Sequence, residues 1–250
     1  MNKKKVIGYV GTRDLGRMRE EDIRKLDVIN IAFGHIRENE TVWEDGAGTE
    51  ENLERIRRIH PEIRIILSIG GVQGSMMPGH FDEAPLEVIG HQLHIVQIPL
   101  GLCHVRMQSE IGVSPGRDGE HLALSQGIQL LAQLRQELIV GVPFYARHWK
   151  GVKGGGDGLG REAGTVGMGG PGYGELAQSY IDKNGYRRYW DDAGKAPYLF
   201  NGDCFISYDD GESLRAKADY VREKELGGIM FWEYGCDRVY LMPAFRSVEV

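Results

Sequence analysis

The sequence predicts an α/β protein built on a parallel sheet, and three observations predict it. Ile63 to Gly71 reads I-R-I-I-L-S-I-G-G, a short Ile-rich run that ends in a serine and two glycines. That is the pattern of a parallel strand buried on both faces, with a polar group at its C-terminal end where α/β proteins place their chemistry. Upstream of it, strand and helix patterns alternate at the spacing of βαβ units. Near the other end of the chain, Gly227 to Tyr234 (G-G-I-M-F-W-E-Y) repeats the buried-strand pattern.

In chain order, Lys5 to Val10 predicts the first strand and Glu20 to Leu26 a short helix with Ile23 and Leu26 inward. Val28 to Ile36 predicts the second strand. Thr49 is placed to cap a helix whose first turn holds Glu50 and Glu51 and whose apolar face is Leu53, Ile56 and Ile59. Pro61 ends that helix. Asp118 caps a further predicted helix carrying Leu124, Ile128, Leu131 and Leu138. It runs into the strand Ile139 to Tyr145 with almost no loop, although such connections usually take about 2–6 residues. Gly151 to Gly174 is half glycine and reads as loop. Strands follow at Tyr186 to Asp191 and Tyr198 to Tyr208. A helix capped by Ser213 runs through Glu223, with Leu214, Ala218 and Val221 inward.

Length and charge narrow the function classes. The 250 residues suit one sizeable domain, or one domain with an insertion. A net charge of −6 argues against a nucleic-acid surface, and no apolar run has the length of a membrane span. Val6 to Val10 is too short for a signal-peptide core, so the chain as written is expected to be cytoplasmic, or secreted if a leader was removed. Three well-separated cysteines, Cys103, Cys204 and Cys236, do not make a disulfide framework.

Four strings then fall together. S-I-G-G (Ser68 to Gly71), G-V-P-F-Y-A-R (Gly141 to Arg147), F-I-S-Y-D-D (Phe205 to Asp210) and G-G-I-M-F-W-E-Y (Gly227 to Tyr234) resemble, in order and context, the family-18 glycoside hydrolases, the chitinase family. The resemblance covers roughly residues 3–71 and 138–240. It implies a (β/α)₈ TIM barrel carrying an α+β insertion before the last strand. Barrel-derived sequence is expected over 1–148 and 210–250, and the insertion over 149–209. It also implies chitin or N-acetylglucosamine oligosaccharides as partners, with no cofactor, no metal, no nucleic acid and no membrane. The function it implies is acting on or binding β-1,4-N-acetylglucosamine polymers.

The family's chemistry is substrate-assisted: a glutamic acid protonates the glycosidic oxygen and the substrate's own acetamido group attacks. That acid lies in a D-x-x-D-x-D-x-E motif, which this sequence does not contain. Asp82, Glu83 and Glu87 lack its spacing, and Asp118 to Glu120 reads as a helix start. Glu110 and Glu120 are the weak candidates for a relocated acid. The family's M-T-Y-D string is absent as well. Without the insertion roughly 190 residues remain for a barrel that typically needs about 250. An incomplete barrel, with strands four to six lost or scrambled, is therefore expected, and its open strand edges imply self-association. Val72 to Val113 holds one Arg, no Lys and four of the eight histidines. Translation out of frame is a hypothesis for that composition, and reading the gene's other frames for the missing motif tests it.

By resemblance, Trp232 matches the tryptophan that floors the central sugar site. Tyr9 and Phe33 match aromatic wall positions. Ser68 matches a third-strand serine that supports the catalytic aspartates, and Tyr145 and Arg147 match positions lining the cleft. Tyr189 and Trp190 are expected to belong to the insertion's own core. Three other readings compete. Gly167 to Gly172 fits G-x-G-x-x-G, but no strand precedes it and Pro171 interrupts it. His91, His94, Cys103 and His104 cluster without a standard zinc spacing. The alternative kept open is a non-catalytic, lectin-like relative that binds chitin oligosaccharides unchanged.

Overall fold

The computed structural model describes residues 3–37, 40–43, 48–69, 95–96, 135–165, 168–237 and 239–250. They form two sheets. The larger joins β1 (Lys5–Gly11), β2 (Val28–Arg37), β3 (Glu40–Trp43), β4 (Arg64–Ile69), β5 (Ile95–Val96), β6 (Ile139–Pro143) and β12 (Gly228–Trp232). Six of these strands are mutually parallel, in the order β4-β2-β1-β12-β6-β5. β3 folds back antiparallel on the end of β2.

β1 and β12 are buried on both faces, whereas β4, at the end of the described strand order, is only half-buried from Ile65 to Ser68 with Arg64 exposed, so the strand expected there to be buried on both faces is not. The two faces of the sheet differ. One carries Val6, Val10, Ile29, Ile31, Val142 and Phe231, which pack against helices. Those helices are α1 (Glu20–Lys25) through Ile23, α2 (Thr49–Ile59) through Ile56, α4 (Gly211–Glu223) through Leu214 and Ala218, and α5 (Leu241–Ser247) through Leu241, Met242 and Phe245. The other face carries Ile7, Tyr9, Val28, Ile139 and Met230, which pack on one another. Helices on one face and strand side chains filling the other is the layering of a (β/α) barrel, not of a doubly wound sheet. Among the described residues the sheet does not close on itself.

The smaller sheet is antiparallel, in the order β8-β7-β11-β10-β9. Its strands are β7 (Tyr145–Trp149), β8 (Met168–Gly172), β9 (Arg187–Asp191), β10 (Ala196–Phe200) and β11 (Phe205–Ser207), with α3 (Tyr173–Ser179) packed through Leu176 against Ala146, Leu199 and Ile206. This sheet begins at Tyr145, one residue after Phe144, which packs in the core of the larger sheet.

Several local expectations change. α2 is capped by Gly48, whose φ of 85° is left-handed, and Thr49 is the first helical residue. α4 is capped by Asp210 and not by Ser213. The carboxylate accepts from the Glu212 and Ser213 N–H groups, while the Ser213 hydroxyl accepts from Asp210 N–H at 2.9 Å, a capping box begun three residues earlier than expected. Tyr198 to Tyr208 is not one strand but a hairpin of β10 and β11. Asn201 Oδ1 accepts from the N–H groups of Asp203 (3.0 Å) and Cys204 (2.7 Å), and Gly202 takes φ 99°. The glycine-rich stretch ends in an edge strand, since Met168 to Gly172 pairs with β7, and Gly172 caps α3. The helix expected after Asp118 lies outside the described residues except at 135–137, which are helical and meet β6 after Leu138 alone. Ile95 and Val96 form a two-residue strand that pairs parallel with Ile139 and Val140 of β6. No helix among the described residues is long and apolar enough to cross a membrane.

Candidate functional site

At the C-terminal ends of the parallel strands, three aromatic side chains meet. Trp232 ends β12, Tyr9 lies on β1 and Phe33 on β2. The Trp232 and Tyr9 ring centroids are 4.9 Å apart, tilted by 49°. Phe33 stacks on Trp232 at 5.2 Å and 27°. Tyr9 is buried, whereas Trp232 and Phe33 are half-buried. Offset and tilted pairs of this kind are the favoured aromatic arrangements. Phe33 reaches Trp232 because β2 breaks register with β4 between Ala32 and Gly34, and Phe33 is the unpaired residue of that bulge. Bulges re-aim side chains in this way beside sites.

Ser68 is the β4 partner of Ala32, one residue from Phe33, so it joins the same end of the sheet. From the opposite side, Trp232 pairs with Pro143 of β6, and Phe144 N–H donates to the Trp232 carbonyl at 2.6 Å. The chain then passes directly into β7, which carries Tyr145 and Arg147. The Arg147 guanidinium lies 5.7 Å from the centre of the Tyr145 ring. Arg147 pairs with Ser207 of β11, so both residues are held by the smaller sheet as it leaves this end of the larger one.

Glu233 was not singled out from the sequence, although it follows Trp232 in the G-G-I-M-F-W-E-Y string. A charged residue that directly ends an apolar strand was the available signal. Burial raises its carboxyl pKa, and the neighbouring Asp14 carboxylate raises it further. Tyr234, the next residue, is fully buried and donates from its hydroxyl to Asp22 Oδ2 at 2.7 Å.

Of the other sequence candidates, Tyr189 stacks on Tyr198 at 5.3 Å and Trp190 lies under the Arg188 guanidinium at 5.5 Å, both within the smaller sheet. Glu110, Glu120, Gly70, Gly71 and the His91, His94, Cys103 and His104 cluster lie outside the described residues. Among the described residues no group of His, Cys, Asp and Glu is placed to hold a metal ion. A cavity of about 510 Å³ opens elsewhere, between the smaller sheet and α4, lined by Trp149, Leu159, Tyr198, Phe205, Lys217 and Tyr220 among others. Neither Trp232 nor its aromatic neighbours line it, so it is a separate feature.

Residues 117–237 match the sequence profile of the glycosyl hydrolases family 18. Chitinase A1 of Niallia circulans is 46% identical over 110 residues, covering 41% of this chain and 16% of that protein. Chitinase B of Serratia marcescens is 32% identical over 139 residues, covering 46% of this chain and 28% of that protein. The matched region is thus a minor part of either chitinase. In structure, a family-18 N-acetylglucosaminidase from Paenibacillus barengoltzii superposes with a TM-score of 0.74 at 27% identity, over 99% of this chain and 100% of that chain. A chitinase from Rhizomucor miehei superposes with a TM-score of 0.66 at 18% identity, over 98% and 100%, a likeness of fold.

Proposed function

We propose that this protein, whose residues 117–237 match the family-18 glycoside hydrolase profile, binds β-1,4-linked N-acetylglucosamine oligosaccharides without cleaving them. The binding site is the aromatic end of the larger sheet. Trp232 is its floor, Tyr9 and Phe33 are its walls, and Ser68, Tyr145 and Arg147 stand at its margins. The smaller sheet is the family's insertion in this reading. One observation carries it: an indole held by Tyr9 and Phe33 at the C-terminal ends of parallel strands. Aromatic faces bury the C–H faces of pyranose rings, and the C-terminal end is where barrel enzymes hold substrate. The chitinases and the N-acetylglucosaminidase that the chain resembles supply the sugar class.

Hydrolysis needs a proton donor at the glycosidic oxygen and groups that orient the acetamido group. The sequence has no D-x-x-D-x-D-x-E motif to supply them. Loss of a general acid alone typically costs about 10²–10⁴ in rate. Each missing charge-assisted hydrogen bond to the acetamido group removes roughly 1.5–3 kcal/mol of binding. Affinity then rests on stacking and falls near a Kd of about 1 mM, or −4 kcal/mol.

Titrating a chitin tetramer against tryptophan fluorescence tests the site. Trp232→Ala is expected to abolish the response. Micromolar binding that survives Trp232→Ala but is lost in Tyr198→Ala would move the sugar to the cavity between the smaller sheet and α4. A fluorogenic chitobioside should release nothing between about pH 4 and 9. Turnover abolished by Glu110→Gln or Glu120→Gln would show a relocated acid and overturn the non-catalytic half of the proposal.

A further inference from the structure

The sheet holds Trp232 only from one side of its residue. Its carbonyl accepts from Phe144 N–H, but after Trp232 the chain leaves β12, with Glu233 extended and Tyr234 to Cys236 forming a single 3₁₀ turn. What fixes the chain beyond the indole is Tyr234. Its ring is 0% exposed within the cluster on the helix-covered face of the sheet. Its hydroxyl donates to Asp22 Oδ2 at 2.7 Å and accepts from Arg19 N–H at 3.1 Å. Asp22 is itself 0% exposed, and its other oxygen accepts from Arg246 of α5. Arg246 also pairs with Glu21 at 2.8 Å. The exit of β12, the start of α1 and the C-terminal helix therefore converge on the Asp22 carboxylate.

We propose that Tyr234 is a positioning residue for the Trp232 indole, anchored through Asp22 to Arg246. A buried carboxylate cannot leave such a network cheaply, because each lost partner strands a desolvated group. The Tyr234 ring therefore has one seat, two residues from the indole, and a two-residue tether leaves Trp232 little freedom to turn away from Tyr9 and Phe33. Pairing at Pro143 sets where Trp232 sits along the strand; the Tyr234 anchor sets how its side chain is presented. The sugar-binding consequence rests on the function proposed above, whereas the positioning itself does not.

Tyr234→Phe removes the hydroxyl and keeps the ring. The emission of Trp232 is isolated by subtracting the spectrum of Trp232→Phe, in the parent and in the Tyr234→Phe background. In Tyr234→Phe, the Trp232 component is expected to shift and to become more accessible to acrylamide, while the remaining tryptophan emission and the far-ultraviolet circular dichroism stay unchanged. Asp22→Asn has an amide oxygen for only one of the phenol and Arg246, and is expected to shift the Trp232 component in the same direction as Tyr234→Phe. Loss of one such bond should weaken chitin-tetramer binding about two- to tenfold. An unchanged Trp232 component in Tyr234→Phe, with only a lower melting temperature, would reduce the phenol to a stabilising contact and overturn the proposal. If the parent binds no tetramer, the sugar-site reading fails, and the emission measurements still decide the positioning role.

Discussion

Asp210 joins the two sheets, and its removal should be felt in both. One carboxylate oxygen accepts from the Glu212 and Ser213 N–H groups at 2.9 and 3.1 Å, capping α4. The other accepts from Arg188 Nε and Nη2 of β9 at 3.0 and 2.8 Å. The Asp210 side chain is 12% exposed and that of Arg188 28%. Loss of an N-cap costs about 1 kcal/mol, and a hydrogen bond to a charged group about 1.5–3 kcal/mol. Arg188 keeps Glu212 as a partner at 2.7 Å, so the lower end of the second figure applies. Asp210→Ala should therefore destabilise by about 2–3 kcal/mol. Asp210→Asn retains a cap acceptor and should cost about half as much, as should Arg188→Ala, which leaves the cap intact. Urea unfolding followed by circular dichroism and by tryptophan fluorescence gives the free energies, and the Asp210/Arg188 double-mutant cycle gives the coupling. If Asn proves no better than Ala, or if the cycle shows no coupling, the carboxylate does not bridge cap and guanidinium in the way described.

Two further perturbations test the neighbourhood of the aromatic site. Glu233 has its pKa raised above the ordinary 4.5, by burial first and Asp14 second. A raised folded-state pKa stabilises the fold fully below the unfolded value and loses that contribution as pH rises through the folded value. Melting curves should accordingly show Glu233→Gln gaining stability relative to the parent as pH rises from the carboxylate range toward neutrality; a difference that does not change with pH would contradict the burial. Gly8 faces Phe231, whose Cζ would lie 2.7 Å from an added Cβ. Gly8→Ala should cost about 1–3 kcal/mol by overpacking, and much less in a Phe231→Leu background, as measured by denaturant unfolding. Equal costs in both backgrounds would place the strain elsewhere.

What the sequence determined by itself is what depends on neighbours in the chain. Apolar runs such as Ile63 to Leu67 and Ile229 to Phe231 read as parallel strands, so their place in the sheet was legible, as were the inward positions Ile23, Ile56, Leu214 and Ala218; that the first of these runs is only half-buried from Ile65 onward was not. Four short strings carried the resemblance that pointed to Trp232, and the profile match over residues 117–237 is to the same family. Caps were read less well, because Gly48 and Asp210 compete with Thr49 and Ser213 only a few residues away, and backbone geometry decides between them. Asn201-Gly202 carried a turn signal, yet the apolar residues on either side outweighed it. The site depended on distance along the chain. Phe33 meets Trp232 through a bulge that no periodicity announces, and Tyr234 meets Asp22 across 212 residues. Spacing records which face of an element is apolar; which elements meet, and which polar group closes on which, is set when the sheet brings β1, β2 and β12 side by side.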